Sequence, residues 1–194
     1  MRRPVLPLAV PLAALMLAAG PAFAQTPPAA PAAPPPVTNP VSTAAPADVA
    51  SVDAIIAALY AVISGEPDQP RDWARFHSLF LPGAMMGSVS RGPDGAVRTR
   101  SFTPEGYVAL ASPQFARNAF YEHEIGRRTT RFGPVIQLMS VYETRNVRDS
   151  ADPVVRGVNS ITLFDDGQRL WITSITWSAE TPDTPIPADW ITPR

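Results

Sequence analysis

The chain has 194 residues, no cysteine and a formal net charge of −1 at pH 7. The missing thiols exclude disulfides, cysteine nucleophiles, thiolate-bound metals and a lipid-modified N-terminal cysteine. All 16 basic residues are arginine, so no lysine can form a Schiff base, and no basic patch marks a nucleic-acid surface.

The N-terminus reads as an export signal. Arg2 and Arg3 precede an uncharged apolar run, Val5 to Gly20, and Pro21-Ala22-Phe23-Ala24 places small residues before Gln25. A positive start, a short apolar stretch and an A-x-A site together make a secretory signal. The alternative is a retained anchor, which needs about 20 mainly apolar residues; this run is shorter and is broken by Pro7 and Pro11. Residues 1–24 are expected to be cleaved after Ala24, leaving a periplasmic or secreted protein that meets the membrane only through the signal before cleavage. Without Arg2 and Arg3 the net charge of −1 becomes −3. Arg2-Arg3 by itself is a weak twin-arginine signal.

Residues 25–47 hold eight prolines, many alanines and no charge. Such a segment has too little large apolar surface to offset the entropy of ordering and reads as a disordered linker. Residues 48–194 have the length of one domain. Ser51 is placed to cap a helix whose Val52, Ile55, Ile56, Leu59 and Ile63 form one apolar stripe ending at Gly65. A second helix is expected from near Asp68 and Pro70, with Trp73, Phe76, His77 and Phe80 on one side and Leu81-Pro82-Gly83 as its stop. Ala84–Ser90 and Ala96–Phe102 flank Gly92-Pro93-Asp94-Gly95 and read as a hairpin.

Thr103-Pro104-Glu105 starts a third helix, carrying Tyr107, Val108 and Leu110 and ending before Pro113. Four long β-rich runs follow, Phe120–Arg131, Val135–Arg145, Val154–Phe164 and Arg169–Ser178, separated by turn sequences such as Phe132-Gly133-Pro134 and Asp165-Asp166-Gly167. The tail from Glu180 is proline-rich, with Trp190 as its one large anchor, and is expected to lie along the surface. Helices first and a strand meander second read as α+β.

The stretches Ile55–Tyr60, Trp73–Phe80, Ser140–Arg145 and Trp171–Trp177, in this order and spacing, resemble the nuclear transport factor 2-like superfamily, in particular its bacterial SnoaL-like and ketosteroid-isomerase-like members. The resemblance covers roughly Val52 to Ser178. It implies N-terminal helices packed in a strongly curved, mostly antiparallel sheet, a cone with a pocket. It also implies that cones often pair through the outer face of the sheet, which leaves a homodimeric interaction module open as a further reading. Members include isomerases, dehydratases, cyclases, epoxide hydrolases and binders without catalysis, so fold does not select the activity.

Tyr60 matches the position where steroid isomerases place an oxyanion-donating tyrosine. Their carboxylate base would fall at Gly87 or Ser88 and their second acid near Ser160, and none of these is an acid. Steroid-isomerase chemistry is therefore disfavoured. His77, one of two histidines, is a proton-carrier candidate or a histidine tied to the protein frame. Glu122-His123-Glu124 resembles a metal site in composition, but on a strand the glutamates share one face and His123 takes the other. No metal and no cofactor are expected. Glu124 reads as a partner for Arg127, Arg128 or Arg145, or as a pocket acid.

One of Asn159 and Ser160 should face inward. Trp171 and Trp177, evenly spaced, are expected on one face of the last strand, and Met85, Met86 and Met139 add adaptable apolar volume. The pocket candidates are Tyr60, Trp73, His77, Met86, Met139, Asn159, Trp171 and Trp177. Together they suggest a pocket for a small hydrophobic molecule. The alternative is a cofactor-independent isomerase or dehydratase of a cyclic ketone or polyketide-like substrate, with Tyr60 as donor and His77 as proton carrier.

Overall fold

A computed structural model describes residues 43–191; the expected signal and most of the expected linker lie outside the described residues. Helix α1, Pro46–Val49, starts inside the stretch read as linker, and Ala44 is already buried. The reason is local. Asp48 at the end of this turn is held by Arg75, with an Nε–Oδ2 distance of 2.7 Å, and Val49 packs into the core.

Helix α2, Val52–Ile63, begins where expected. Ser51 accepts a hydrogen bond from the Ala54 amide at 3.1 Å, satisfying one of the donors a helix start leaves open. Burial reaches beyond the expected stripe: Ala58, Tyr60 and Val62 are buried as well as Ile55, Ile56, Leu59 and Ile63. A helix enclosed by the bend of a sheet is covered on most of its circumference. Its C-terminus is closed by Arg71, which donates to the carbonyl oxygens of Ile63, Gly65, Glu66 and Gln69 at 2.7–3.0 Å.

Helix α3 is shorter than expected, Trp73–Ser78, capped by Asp72. Phe80 belongs to strand β1, Phe80–Arg91, and Leu81-Pro82-Gly83 does not stop a helix but lies within that strand. Proline is tolerated there because the neighbouring strand β2, Val97–Phe102, pairs only from Met86 onward, and the register against the other neighbour shifts between Phe80 and Met85. Helix α4, Pro104–Phe115, is capped by Thr103 and continues past Pro113, where it was expected to end. The Ser112 hydroxyl donates to the Val108 carbonyl at 2.7 Å, and Phe115 stacks on Phe120 at 4.8 Å, so the last turn is anchored despite the proline.

Strands β3 (Tyr121–Phe132), β4 (Val135–Arg145), β5 (Val155–Asp165) and β6 (Leu170–Ala179) form the expected meander. The six strands make one sheet in the order β2-β1-β6-β5-β4-β3, antiparallel except where β1 runs parallel to β6. Inward residues of the meander, among them Ile136, Leu138, Ile161, Leu163, Ile172 and Ile175, meet α2 and α3 in one core. The tail ends in a short 3-10 turn, Ala188–Trp190, with Trp190 half-buried as its anchor. Its backbone crosses Gly126 so closely that a side chain there would collide with the Trp190 carbonyl, and Arg128 holds Asp189 at 2.8 Å. No helix among the described residues is long and apolar enough to cross a membrane.

Candidate functional site: an apolar cavity with one carboxyl group

A cavity of about 270 Å³ lies between the helices and the inner face of the sheet. Its apolar walls come from Leu59 and Ile63 of α2, Phe76 of α3, Met86 of β1, and Ile175 and Trp177 of β6. The Trp177 ring sits 5.6 Å from Phe102 and 6.1 Å from Tyr107, which fixes that wall. Val155 stands at the mouth, lining the cavity while 40% exposed. The polar lining is confined to Tyr107, Glu122, Tyr142, Thr144 and Asn159.

Glu122 is the only charged residue type in that lining. Burial raises its carboxyl from 4.5 to about 8, because the ionised form loses water that the apolar walls do not replace; a hydrogen bond from Asn159 works in the opposite sense. Glu122 keeps intermediate exposure, since it lines both this cavity and the open groove between α2 and β3. Its backbone is fixed by Ser64, the C-cap of α2, whose hydroxyl lies 3.0 Å from the Glu122 amide and 3.2 Å from its carbonyl. Burial also raises Tyr60, Tyr107 and Tyr142, so all three phenols stay neutral at physiological pH. Tyr107 and Tyr142 direct their rings at the same cavity as Glu122.

Behind this wall runs a buried chain of hydrogen bonds. Asn159 Nδ2 lies 3.1 Å from the Tyr60 hydroxyl, which lies 2.8 Å from Ser140 Oγ, which donates to Glu124 Oε1 at 2.7 Å. Arg127 grips both oxygens of Glu124, at 2.7 and 2.8 Å, and reaches Asp53 of α2 at 3.0 Å.

Of the eight sequence candidates, Met86, Asn159 and Trp177 line the cavity. Asn159 is the inward member of its pair, and Ser160 faces outward against Gln137. Tyr60 is one hydrogen bond behind the wall and does not line it. Trp73 is a core residue, edge-on to Phe76 and stacked on Phe115. His77 lies outside the cavity, with its Nε2 buried and without a partner among the described residues. The pairing of Tyr60 with His77 as donor and proton carrier is therefore not what the fold assembles. Met139 falls on the outer face, since the even-numbered positions of β4 are the inward ones. Trp171 also faces outward, bonded through Nε1 to Asp166 and stacked under Arg169. Its even spacing from Trp177 misleads because a bulge at Thr173, seen as a register shift between Thr162 and Leu163, reverses the side-chain alternation.

The triplet Glu122-His123-Glu124 separates as expected: His123 meets Glu143 at 2.9 Å on the opposite face from the glutamates. Glu124 pairs with Arg127, one of its expected partners, but in a buried setting, with 4% of its side chain exposed. Glu122 is the cavity-lining acid absent from the sequence candidates. Its inward parity with Glu124 was the available signal.

A wider, open groove of about 840 Å³ runs between α2 and the edge strand β3. Its polar side chains are engaged elsewhere: Ser64 with the Glu122 backbone, Tyr121 with Glu66, Glu124 with Ser140 and Arg127. Glu122 lines this groove too, so the two spaces meet at its carboxyl group, and the smaller one carries the apolar walls.

No protein-family model matches the sequence, and no curated protein does. Solved structures match the fold. The beta subunit of a "putative aromatic-ring-hydroxylating dioxygenase" from Novosphingobium aromaticivorans DSM 12444 superimposes with a TM-score of 0.52 at 15% identity, covering 71% of this chain and 95% of that one. A cystatin-like-fold protein of unknown function from Nostoc punctiforme PCC 73102 gives 0.50 at 10% identity, over 68% and 90% of the two chains. An NTF2-like protein of unknown function from Silicibacter pomeroyi DSS-3 gives 0.45 at 14% identity, over 68% and 94%. Three helices, the β1–β2 hairpin, a fourth helix and the four-stranded meander, closing one six-stranded mixed sheet, give this chain the α+β fold class that the resemblance implies, in the arrangement shared with the dioxygenase beta subunit.

Proposed function

We propose that this protein binds a small, mostly apolar molecule carrying one oxygen function, with its hydrocarbon body against Met86, Ile175 and Trp177 and its oxygen at Glu122. The observation that carries this reading is the single carboxyl group set in a mostly apolar cavity. A neutral carboxylic acid donates one hydrogen bond, and a mostly apolar site with a few well-placed donors recognises a carbonyl or ether oxygen.

Three near-isosteric probes test it: 1-indanone, which only accepts; indole, which only donates; and indane, which does neither. At pH 6 Glu122 is protonated, and 1-indanone is expected to bind roughly tenfold more tightly than indane, the worth of one satisfied hydrogen bond. At pH 10 the carboxylate faces the ketone with lone pairs only, and the order of 1-indanone and indole reverses. Titration calorimetry at the two pH values measures this; equal affinities for all three probes would reject it. Val155→Phe, at the exposed mouth, is expected to weaken 1-indanone binding at least tenfold with stability changed by less than about 0.5 kcal/mol, the range of surface substitutions.

One observation favours a second reading, a cofactor-independent isomerase or dehydratase. A carboxyl group titrating near pH 8 can both take and return a proton under neutral conditions. The Glu122 carboxylate would then remove a proton from the carbon beside a ketone, leaving an enolate, and return it to a different carbon. Deuterium incorporation beside the carbonyl of 1-indanone in D2O, followed by proton NMR, separates the readings. Exchange accelerated by the wild type and abolished in Glu122→Gln supports the enzyme; binding without exchange supports the binder.

A further inference from the structure

We propose that the ligand is an oxo acid: its apolar body fills the cavity, its ketone oxygen meets Glu122, and its carboxylate lies in the neighbouring groove at Arg148. The proposal rests on the reading of the cavity as the ligand site and adds a charged group outside it. At about 270 Å³ the cavity falls just short of the usual range for ligand pockets, about 300–1,000 Å³, so an occupant of ordinary size extends out of it. Two residues border the ways out. Val155 lines the cavity and also a surface depression beside the start of β5; Glu122 lines the cavity and also the groove between α2 and β3.

The charges beyond the two exits differ. Past Val155 the charged lining is Arg156 and Glu180, which face each other at 3.6 Å and neutralise one another. Past Glu122 stands Arg148, the one arginine lining either the cavity or the groove. Among the described residues Arg148 has no ion pair; its guanidinium carbon lies 4.8 Å from the centre of the Tyr121 ring. Tyr121 is buried and bonded through its hydroxyl to Glu66, so the guanidinium rests on a fixed surface. A guanidinium stacked on a ring keeps its N–H edge available, and that edge matches the two oxygens of a carboxylate. The acids of the groove do not oppose an anion. Glu124 is held by Arg127 at both oxygens, and Glu122 keeps its proton below a pH of about 8. The α2 side of the groove, Ile56, Ala57 and Ala61, suits the methylene carbons between ketone and carboxylate.

Titration calorimetry at pH 6 compares butyrophenone with acids that replace its terminal methyl by a carboxylate: 4-oxo-4-phenylbutanoate and its homologues with one and two further methylenes. At least one acid is expected to bind on the order of tenfold more tightly than butyrophenone, the worth of a charge-assisted contact partly screened by water. Arg148→Met is expected to remove that gain and leave the affinity for butyrophenone unchanged. Arg148 is exposed, so the substitution does not touch the core. Arg156→Met, at the other exit, is expected to keep the gain. Raising NaCl to about 0.5 M should shrink the gain in the wild type without affecting butyrophenone. Three results overturn the proposal: no acid outbinds butyrophenone, the gain survives in Arg148→Met, or Arg156→Met abolishes it. Should butyrophenone bind and the acids bind no better, only the oxo-acid proposal fails. Should neither butyrophenone nor any of the acids bind, the reading of the cavity as a ligand site fails, and the proposal with it.

Discussion

Glu122→Gln is expected to stabilise the protein at pH 9 by roughly 4 kcal/mol while removing the pH dependence of its carbonyl selectivity, since the amide keeps an N–H donor at every pH. The carboxyl titrates at 4.5 in an ordinary setting and at about 8 in the fold. Between those values the folded state keeps a proton that the unfolded chain has released. The stability this group contributes is therefore full below about 4.5 and declines as pH rises to about 8, at close to 1.4 kcal/mol per pH unit. Glutamine has nearly the same shape and no charge to desolvate, so the variant escapes that decline. At pH 4, where both side chains are neutral, the two proteins should be nearly equal. At pH 9 the melting temperature should differ by about 10 °C, using the usual 2–4 °C per kcal/mol for chains of this size. Parallel stability curves for the two proteins between pH 5 and 9 would show that Glu122 is solvated like a surface acid, and the proposed site would lose its basis.

The second large effect is expected at Arg71. Its guanidinium joins four carbonyl oxygens at the end of α2 while only 8% exposed. Arg71→Met removes every one of these donors; the buried Ile63 oxygen has no water to replace its donor, while the Gly65 oxygen keeps the Phe120 amide at 3.1 Å. Urea unfolding should show a loss of about 4 kcal/mol, less than the sum of four charged hydrogen bonds because the Glu66 and Gln69 oxygens are reached by solvent. Arg71→Lys should recover little, since one ammonium cannot span the fork of acceptors. The damage extends to the cavity. Ser64, one residue beyond α2, holds the Glu122 backbone, so a frayed helix end admits water and brings the Glu122 midpoint down toward 4.5. A loss below 1 kcal/mol would mean that α2 is closed by something other than Arg71.

Legibility of the fold differed by element for physical reasons. The meander was readable because each strand is long, β-rich and bounded by turn residues, and α2 because Ser51 and the aliphatic stripe agree. The α3–β1 junction was misread because Phe80 is equally suited to a helix face and to the first position of a strand; its ring still packs on Phe76, at 4.8 Å, in either assignment. Pro113 and Pro82 read as stops: Pro82 lies where β1 has no partner strand for its missing N–H, whereas Pro113 costs α4 one hydrogen bond to Ala109, and the Phe115–Phe120 stack holds the last turn. The site was half readable. Met86, Asn159 and Trp177 follow from strand parity, while Trp171 was lost to a bulge that reverses that parity without a local sequence mark.

The order of elements, the apolar faces and the absence of thiol and lysine chemistry are properties of the chain itself, because they depend on residue type and spacing over ten or so positions. Which polar groups meet is different in kind. Tyr60 and Ser140 are 80 residues apart, and Tyr60 and Asn159 are 99 apart, so their contact exists only once the sheet has curled over α2. The same enclosure strips water from Glu122 and moves its proton affinity into the neutral range. A carboxyl group's chemistry is set by its surroundings, and those surroundings are assembled from seven elements besides its own strand that no local pattern joins.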